Sequence, residues 1–553
     1  MRNFRVWSPK TERMEIKIND KVLPMAKKQE WWEYYRESGD ECDYGYIIDG
    51  KGPYPDPRSL YQPNGVHGLS RSYDHGNFMW LDQEWMQPAF SNSIIYEMHI
   101  GTFTPEGTFD SALEKIDYLK ELGVTHVEVM PVNEFAGRRG WGYDGVNIFA
   151  PYHLYGGPDG LKKFINFCHL KEIGVILDVV YNHFGLEGNY LQEFGPYFSN
   201  KYKTIWGNAY NFDGEFSYEP RRLIVDNAMM WLRDYHLDGL RLDAVHSIYD
   251  QSAIHILEQI SRQVERLEEE TGKYYYLIAE SDLNNPRIVQ YYDIGGYGFD
   301  ASWNDDFHHS LHTVLTGEES GYYEDFGRIE DLAKSLKAVY VYDGKYSRYR
   351  KAIQGRKAEH CEGNNFICYI QNHDQVGNRA KGERISHLVS IEKAKIGAAI
   401  ILTSPFVPMI FQGEEFAAST PFQYFTDISD ATLAKGITEG RKNEFGAFGW
   451  NPEDVPDPQS AETFLRSKLD WSQIEAQPHK AMLEWYKSLI QLRKENEFLR
   501  NGALSEVVVN YYEMNKAIEI KRGEIKVTAN LTDEQLEIRN KDEKALSLEL
   551  MYK

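Results

Sequence analysis

With 553 residues, the chain is longer than one ordinary domain and can bury a large core. Its formal net charge of −23, without a basic block, disfavours nucleic-acid and anionic-membrane partners and favours a neutral substrate. The first residues lack the apolar core of a signal peptide and no apolar run reaches about 18 residues, so we expect a soluble, cytoplasmic protein. The four cysteines are scattered without a CxxC pair, which indicates reduced thiols.

The N-terminal part of the chain has the pattern of an all-β domain. Short alternating segments such as MEIKIND and YGYIIDG, separated by Pro, Gly and Asp turns, predict a β-sandwich over residues 1–90. Within this range, the Pro-bearing stretch 52–90 is predicted to be a linker that packs on the domain that follows.

From residue 91 strands alternate with helices, which predicts a (β/α)8 TIM barrel over residues 91–485. FDSALEKIDYLKELG (109–123) is predicted to be an amphipathic helix, and the insertion 184–218 to be an ordered loop near the site. A helix (482–499) and short strands predict a helix and a small β-domain over residues 486–553. The predicted barrel strands are 93–100, 125–132, 174–183, 239–245, 275–281, 301–304, 366–374 and 406–415.

Three acidic residues stand at C-terminal strand ends, where such barrels carry their active sites: Asp243 in GLRLDAVH, Glu280 in YYYLIAES and Asp374 in YIQNHDQ. One such acid could simply cap a helix or pair on the surface. Three together would form an unpaired cluster at an electrostatic cost, which is typical of active sites. Cleavage or transfer of a glycosidic bond needs such a set, because it requires a nucleophile and an acid.

Neighbouring residues suggest how the three carboxyl groups divide these tasks. Arg241 shares a strand face with Asp243 and should hold it ionised, which suits a nucleophile. Glu280 has no adjacent cation in the sequence and is the better candidate acid, while Asp374 could bind sugar hydroxyls and stabilise the transition state. The third and seventh strands deliver His183 and His373, which are either further hydroxyl ligands or ordinary satisfied histidines of the barrel top.

The segments DVVYNH, GLRLDAVH, LIAES and QNHDQ resemble, in the same order, the four motifs of the α-amylase family, glycoside hydrolase family thirteen. The resemblance covers residues 93–480. It implies that Asp243 is the nucleophile, Glu280 the general acid/base and Asp374 the transition-state stabiliser of a retaining reaction. It also implies an N-terminal sandwich that is immunoglobulin-like, as in carbohydrate-binding modules. The residues that resemble supporting groups or the platform under the cleaved sugar are Arg241, Asn182, His183, His373 and Tyr143.

The N-terminal β-domain and WGYDG resemble one branch of this family, which includes branching and debranching enzymes. Stretches such as WNDDFHHSLH and NHDQVGNRA are similar to members that hydrolyse the α-1,4 bond next to the terminal trehalose of maltooligosyl trehalose. The resemblance therefore implies this small-molecule substrate, and the alternative is an α-1,4-glucan branching or debranching enzyme. A glucan-binding protein with a degenerate barrel is a third hypothesis, which the three intact carboxyl groups disfavour.

The segment WNDDFHHSLH leaves the sixth predicted strand and should border the cleavage point. Its polar residues could bind the leaving sugar, with Phe307 or Trp303 against a ring face, although two Asp residues are also favourable at a helix N-terminus. No Asp-rich oxygen-ligand loop is evident, so we expect neither a metal nor another cofactor. The leaving-side candidates are Asp305, Asp306, Phe307, His308, His309, His246, Gln375 and Asn378.

Overall fold

A computed structural model describes residues 2–444, 450–531 and 546–550 of the protein. Eight short strands precede the barrel: β1 (Arg2–Trp7), β2 (Met14–Ile18), β3 (Lys21–Pro24), β4 (Ala26–Lys28), β5 (Trp31–Arg36), β6 (Asp43–Ile48), β7 (Lys51–Tyr54) and β8 (Ser70–Arg71). They form two sheets in the orders β1-β5-β4 and β3-β2-β6-β7, and β8 pairs with β6. Phe4 packs on Tyr44 across the sheets with ring centres 4.6 Å apart. The predicted N-terminal β-structure is confirmed.

The middle of the chain contains fourteen strands: β9 (Ile95–Met98), β10 (His126–Val129), β11 (Asn133–Glu134), β12 (Asn147–Pro151), β13 (Gly174–Val179), β14 (Phe198–Thr204), β15 (Gly207–Tyr210), β16 (Gly239–Leu242), β17 (Tyr276–Ala279), β18 (Ala301–Trp303), β19 (Asp343–Ser347), β20 (Ala352–Gly355), β21 (Phe366–Cys368) and β22 (Val407–Phe411). Eight of them close a parallel barrel in the order β9-β10-β13-β16-β17-β18-β21-β22. The other six form three two-stranded antiparallel sheets, β11-β12, β14-β15 and β19-β20.

All eight predicted barrel strands are present, so the TIM-barrel prediction is confirmed. Their residues are buried throughout, because helices cover the outside and side chains fill the inside. The observed strands are shorter than predicted, and the three acidic residues Asp243, Glu280 and Asp374 lie beyond the strand ends. Asp243 and Glu280 directly follow β16 and β17. The loops that begin at these strand ends therefore hold the catalytic side chains on one face of the barrel.

The described part of the chain contains these α-helices: α1 (Ile100–Phe103), α2 (Phe109–Ala112), α3 (Ile116–Leu122), α4 (Gly157–Leu170), α5 (Leu191–Phe194), α6 (Tyr218–Asp234), α7 (Ile256–Thr271), α8 (Asp305–Thr316), α9 (Ile329–Ala338), α10 (His373–Gly377), α11 (Ile385–Leu388), α12 (Ile391–Thr403), α13 (Ala431–Glu444), α14 (Ala461–Arg466), α15 (His479–Glu495) and α16 (Glu497–Arg500). The helix predicted over 109–123 is split into α2 and α3 by a 3-10 turn. None of the helices described here has the length and apolarity needed to span a membrane.

The C-terminal sheet consists of β23 (Val507–Tyr512), β24 (Ala517–Arg522), β25 (Ile525–Asn530) and β26 (Leu546–Leu550), in that order. It confirms the predicted small β-domain, of which residues 532–545 and 551–553 lie outside the described residues. Helix α15 runs across the predicted boundary at residue 485, and Trp485 donates a hydrogen bond to the carbonyl of Lys395 in α12. This helix therefore packs on the barrel, and the predicted boundaries at 90 and 485 stay predictions.

The last part of the stretch 52–90, around residues 82–87, packs against the barrel face opposite the strand ends that carry Asp243 and Glu280. Trp85 stacks on His169 with ring centres 5.0 Å apart and donates a hydrogen bond to Asp238, the residue just before β16. His169 itself lies between Asp82 and Asp238, at 2.8 and 2.9 Å. A buried charge network thus fixes this linker to the barrel. The sequence predicted that the linker packs on the barrel.

Candidate active site

Arg241 lies at the centre of the site, fully buried, with its guanidinium 3.9 Å from the centre of the Trp303 ring. Its Nη1 donates to Asp178 Oδ2 at 2.6 Å and to Asp243 Oδ1 at 3.1 Å. Its Nη2 donates to Glu280 Oε2 at 2.6 Å. The two terminal nitrogens of this one planar cation therefore bind the two carboxylates, Asp243 and Glu280, that the sequence motifs identify.

The sequence-based assignment of this cation to Asp243 alone is wrong. Strands β16 and β17 are parallel neighbours, with Arg241 opposite Ile278, so Glu280 also reaches the guanidinium. The two acids differ in the second hydrogen bond that each accepts. Asp243 accepts a second hydrogen bond at 2.7 Å from Asn182, whereas Glu280 accepts one from the backbone N–H of Ala244 at 3.0 Å.

Burial raises the pKa of both catalytic acids, and the positive charge of Arg241 opposes that shift. The negative charge of Asp243 raises the pKa of Glu280 further. The negative charges of Asp178 and Asp374 likewise raise the pKa of Asp243, so the division into acid and nucleophile stays a prediction. Two carboxylates on one guanidinium favour the short spacing, about 5–5.5 Å, that retaining glycosidases use.

His373 and Tyr143 form the floor beside Asp374. The Tyr143 ring stacks on the His373 ring with centres 5.1 Å apart, and its hydroxyl lies 2.6 Å from Asp178 and 2.7 Å from His373 Nε2. Burial opposes a charge on His373, but the negative charges of Glu97 and Asp374 outweigh it and raise its pKa to about 9. His373 is thus an imidazolium near neutral pH and presents a positive edge to the site.

Two local backbone features position these side chains. Asp374 lies in the first turn of α10, where the side chain of Asn372 accepts hydrogen bonds from the backbone of Asp374 and Gln375. Gly142, just before Tyr143, has φ of +100°, and a Cβ there would lie 2.0 Å from the Pro131 carbonyl oxygen. Only glycine fits this position, so WGYDG needs it to bring the tyrosine over the barrel.

Asn182 and His183 follow β13 and line the opposite side of the site. Asn182 is buried and donates to both the carbonyl and the carboxylate of Asp243, at 2.7 Å each. His183 is neutral, because burial lowers its pKa to about 4. It stacks on Trp206 with ring centres 4.4 Å apart and an angle of 7°. Trp206 is a residue that the sequence reasoning missed, since it lies in the turn between β14 and β15 in the predicted insertion.

A cavity of about 810 Å³ opens above these groups. Among the three acidic side chains that line this cavity, Asp374 is the most exposed, at 37%. Within the described ranges, no group of three or more His, Cys, Asp or Glu is placed to hold a metal ion. The residues that line the cavity at the catalytic end are Tyr143, His183, Trp206, Asp243, Glu280 and Asp374.

The predicted leaving-side residues divide into two groups. Asp305 accepts hydrogen bonds from Tyr369 at 2.7 Å and Gln375 at 3.3 Å, and burial raises its pKa to about 7. Together with His309 and Arg350 it lines a small second cavity. His246 borders the main cavity, 3.8 Å from Asp282. These residues are available to a sugar on the side of Glu280.

Phe307 and His308 line neither of these two cavities, although the sequence predicted that they bind the leaving sugar, and Asp306 borders only the small second cavity. Each is at most 3% exposed. Asp306 Oδ2 accepts hydrogen bonds from Asn284 and from the backbone N–H groups of residues 341 and 342. Helix α8 thus turns these three side chains into the protein, where they fix neighbouring segments. Asn378 lines the main cavity and donates a hydrogen bond to Asp374 at 3.3 Å, and its leaving-side role stays a prediction.

Comparison with known proteins agrees with this geometry. A family model described as alpha amylase, catalytic domain, matches residues 70–211 and 217–502. A malto-oligosyltrehalose trehalohydrolase from Arthrobacter ramosus is 46% identical over 89% of this chain and 87% of its own. One of the same name from Saccharolobus solfataricus is 46% identical over 92% of this chain and 88% of its own. A solved structure from Salmonella typhimurium, described as a candidate alpha amylase, is 38% identical with a TM-score of 0.88, covering 94% of this chain and 88% of that one.

The chain therefore belongs to the α-amylase family and is a glycoside hydrolase. A Bacillus subtilis 1,4-alpha-glucan branching enzyme is 30% identical, but only over 55% of this chain and 51% of its own. The relatives that match over nearly the whole chain place it in the family of malto-oligosyltrehalose trehalohydrolases.

Proposed function

We propose that this protein hydrolyses the α-1,4-glucosidic bond next to the terminal trehalose of maltooligosyl trehalose, releasing trehalose and a malto-oligosaccharide. The observation that carries the proposal is the joint placement of Asp243 and Glu280 on one guanidinium, that of Arg241. Relatives with the trehalohydrolase name at over 40% identity support this substrate.

The reaction proceeds in two steps that retain the anomeric configuration. Asp243 attacks the anomeric carbon of the glucose on the non-trehalose side, while Glu280 donates its proton to the leaving oxygen of trehalose. Asp243 then carries the malto-oligosaccharide as a covalent ester. In the second step, Glu280 removes a proton from water, whose oxygen displaces Asp243 from the same carbon and frees the sugar.

The remaining residues bind the sugars on either side of the cleaved bond. Tyr143 lies under the ring that becomes oxocarbenium-like, and its neighbour His373 holds it there through the contact between its Nε2 and the Tyr143 hydroxyl. Asp374 accepts hydrogen bonds from hydroxyls of the same ring, which strengthen as positive charge develops. The side chains proposed to hold trehalose are His246, Asp305, His309, Gln375 and Arg350.

Product analysis tests the substrate directly. Incubation with maltotriosyl trehalose should yield free trehalose and maltotriose in equal amounts, measured by anion-exchange chromatography. An Asp243→Asn variant, which keeps the shape of the site but not its nucleophile, should release neither product at a measurable rate. Formation of α-1,6 linkages from amylose, with no trehalose released, would instead identify a branching enzyme.

A further inference from the structure

Helix α13 presents an apolar face to the catalytic cavity. Leu433, Ile437, Gly440 and Arg441 all border that cavity, and their spacing of three and four residues places them on one side of the helix. Leu433 and Ile437 are only half-buried. Their exposed surface therefore faces the same space as the catalytic carboxylates.

The helix is fixed at both ends to loops of the active site. At its start, the backbone N–H of Ser429 donates to Glu187 at 2.9 Å, and Glu187 lies in the segment that follows β13. At its end, Arg441 donates to Asn378 Oδ1 at 2.8 Å and its guanidinium lies 4.8 Å from the centre of the Tyr424 ring. These contacts hold the apolar face across the cavity.

The end of α13 is next to the residues that bind the non-trehalose side. Asn378, which Arg441 contacts, donates to Asp374 at 3.3 Å. Glu280 must stand on the leaving side of the bond, since it protonates the leaving oxygen. The α13 face thus lies beyond Asp374, on the side of the malto-oligosaccharide.

We infer that Leu433 and Ile437 form a wall for the malto-oligosaccharide part of the substrate and set the preference for its length. This inference rests on the proposed function and specifies which part of the substrate the wall contacts. Glucose rings carry apolar C–H faces that pack well on aliphatic side chains, while their hydroxyls point sideways. Glu187 and Arg441, at the two ends of the helix, are placed to bind those hydroxyls.

The test is a double variant, Leu433→Ser with Ile437→Ser, compared on two substrates. With maltopentaosyl trehalose we expect kcat/KM to fall about tenfold, because the distal glucose units lose apolar contact. With glucosyl trehalose, which has one glucose on this side, we expect a change of less than about twofold. Equal losses on both substrates, or no loss on either, would overturn the inference.

A matched control comes from the opposite face of the same helix. Lys435 and Glu439 form an exposed ion pair at 3.7 Å, so Lys435→Ser with Glu439→Ser imposes at least as large a loss of helix propensity away from the cavity. This control should behave as the parent enzyme on both substrates.

A binding measurement separates failure of the wall from failure of the proposed function. Calorimetry with maltopentaose should show about tenfold weaker binding to the Leu433 and Ile437 variant than to the parent, whereas trehalose binding should be equal. Unchanged maltopentaose binding would contradict the wall whether or not the enzyme releases trehalose. Absence of trehalose release by the parent enzyme would contradict only the proposed function.

Discussion

Arg241 is the residue on which the chemistry of this site converges, since its two terminal nitrogens hold the proposed nucleophile, Asp243, and the proposed acid, Glu280, together. Desolvation of so many carboxyl groups would otherwise favour their neutral forms. The guanidinium keeps one of them charged, and the mutual repulsion of Asp243 and Glu280 leaves the proton on the other. The nearby imidazolium of His373 adds a second positive charge on the side of Asp374.

Replacement of this cation should change the pH dependence of the reaction. In Arg241→Gln, the pKa of Asp243 should rise, because the charged form loses its positive partner. Since Asp243 must be ionised to attack, the acidic limb of kcat/KM against pH should move to higher pH, and the maximum should fall by about 100-fold or more. Arg241→Lys keeps a charge and should move the limb less. An acidic limb unchanged in Arg241→Gln would refute the role of the guanidinium.

At the level of elements, the barrel strands and their terminal motifs were predictable, because buried parallel strands are short apolar runs, and Asp243 and Glu280 follow such runs directly. The orientation of α8 was not predictable. Asp306 and His308 are polar residues that a local pattern assigns to the surface. Asp306 is instead satisfied by backbone groups 35 and 36 residues further along the chain, and no local pattern encodes such a contact. Trp206 was missed for the same reason, since only the folded hairpin brings it onto His183.

Asp306 anchors residues 341 and 342, which precede the hairpin that places Arg350 on the proposed trehalose side of the site. Asp306→Ala leaves two backbone N–H groups and Asn284 without their acceptor, so the free energy of unfolding should fall by about 3 kcal/mol, measured by urea titration. Because Arg350 lies between β19 and β20, just after this segment, inhibition by trehalose should also weaken. Asp306→Asn retains an acceptor oxygen and should cost less than half as much. Equal stability of Asp306→Ala and the parent would contradict this anchoring role.

On the scale of the whole molecule, the linker 52–90 joins the N-terminal sheets to the barrel through buried charges. Burial opposes the charge on His169, but Asp238 and Asp82 outweigh it and raise its pKa to about 9. The same contacts, acting against burial, lower the pKa of both carboxyl groups. The barrel thus has functional loops at one face and a charged junction at the other.

This junction predicts a stability that depends on pH. A folded-state pKa raised above the unfolded value of about 6.5 gives stability that is full below that pH and is lost as pH rises through about 9. The two carboxyl groups contribute only above about pH 4. His169→Gln should therefore lower the free energy of unfolding by about 3 kcal/mol at pH 6 and by less at pH 10. The melting temperature of the variant should accordingly lie further below that of the parent at pH 6 than at pH 10. The exposed His360→Gln is the control, and an equal loss for His169→Gln at both pH values would contradict the ionic junction.

Retaining hydrolysis that frees trehalose is the central property proposed for this protein. Proton NMR during the first minutes of maltotriosyl trehalose hydrolysis measures both parts at once, because it resolves trehalose and the anomers of the new reducing end. We expect trehalose and α-anomeric maltotriose to appear together, before mutarotation produces the β-anomer. Initial formation of β-anomeric maltotriose, or consumption of the substrate without trehalose, would contradict this proposal.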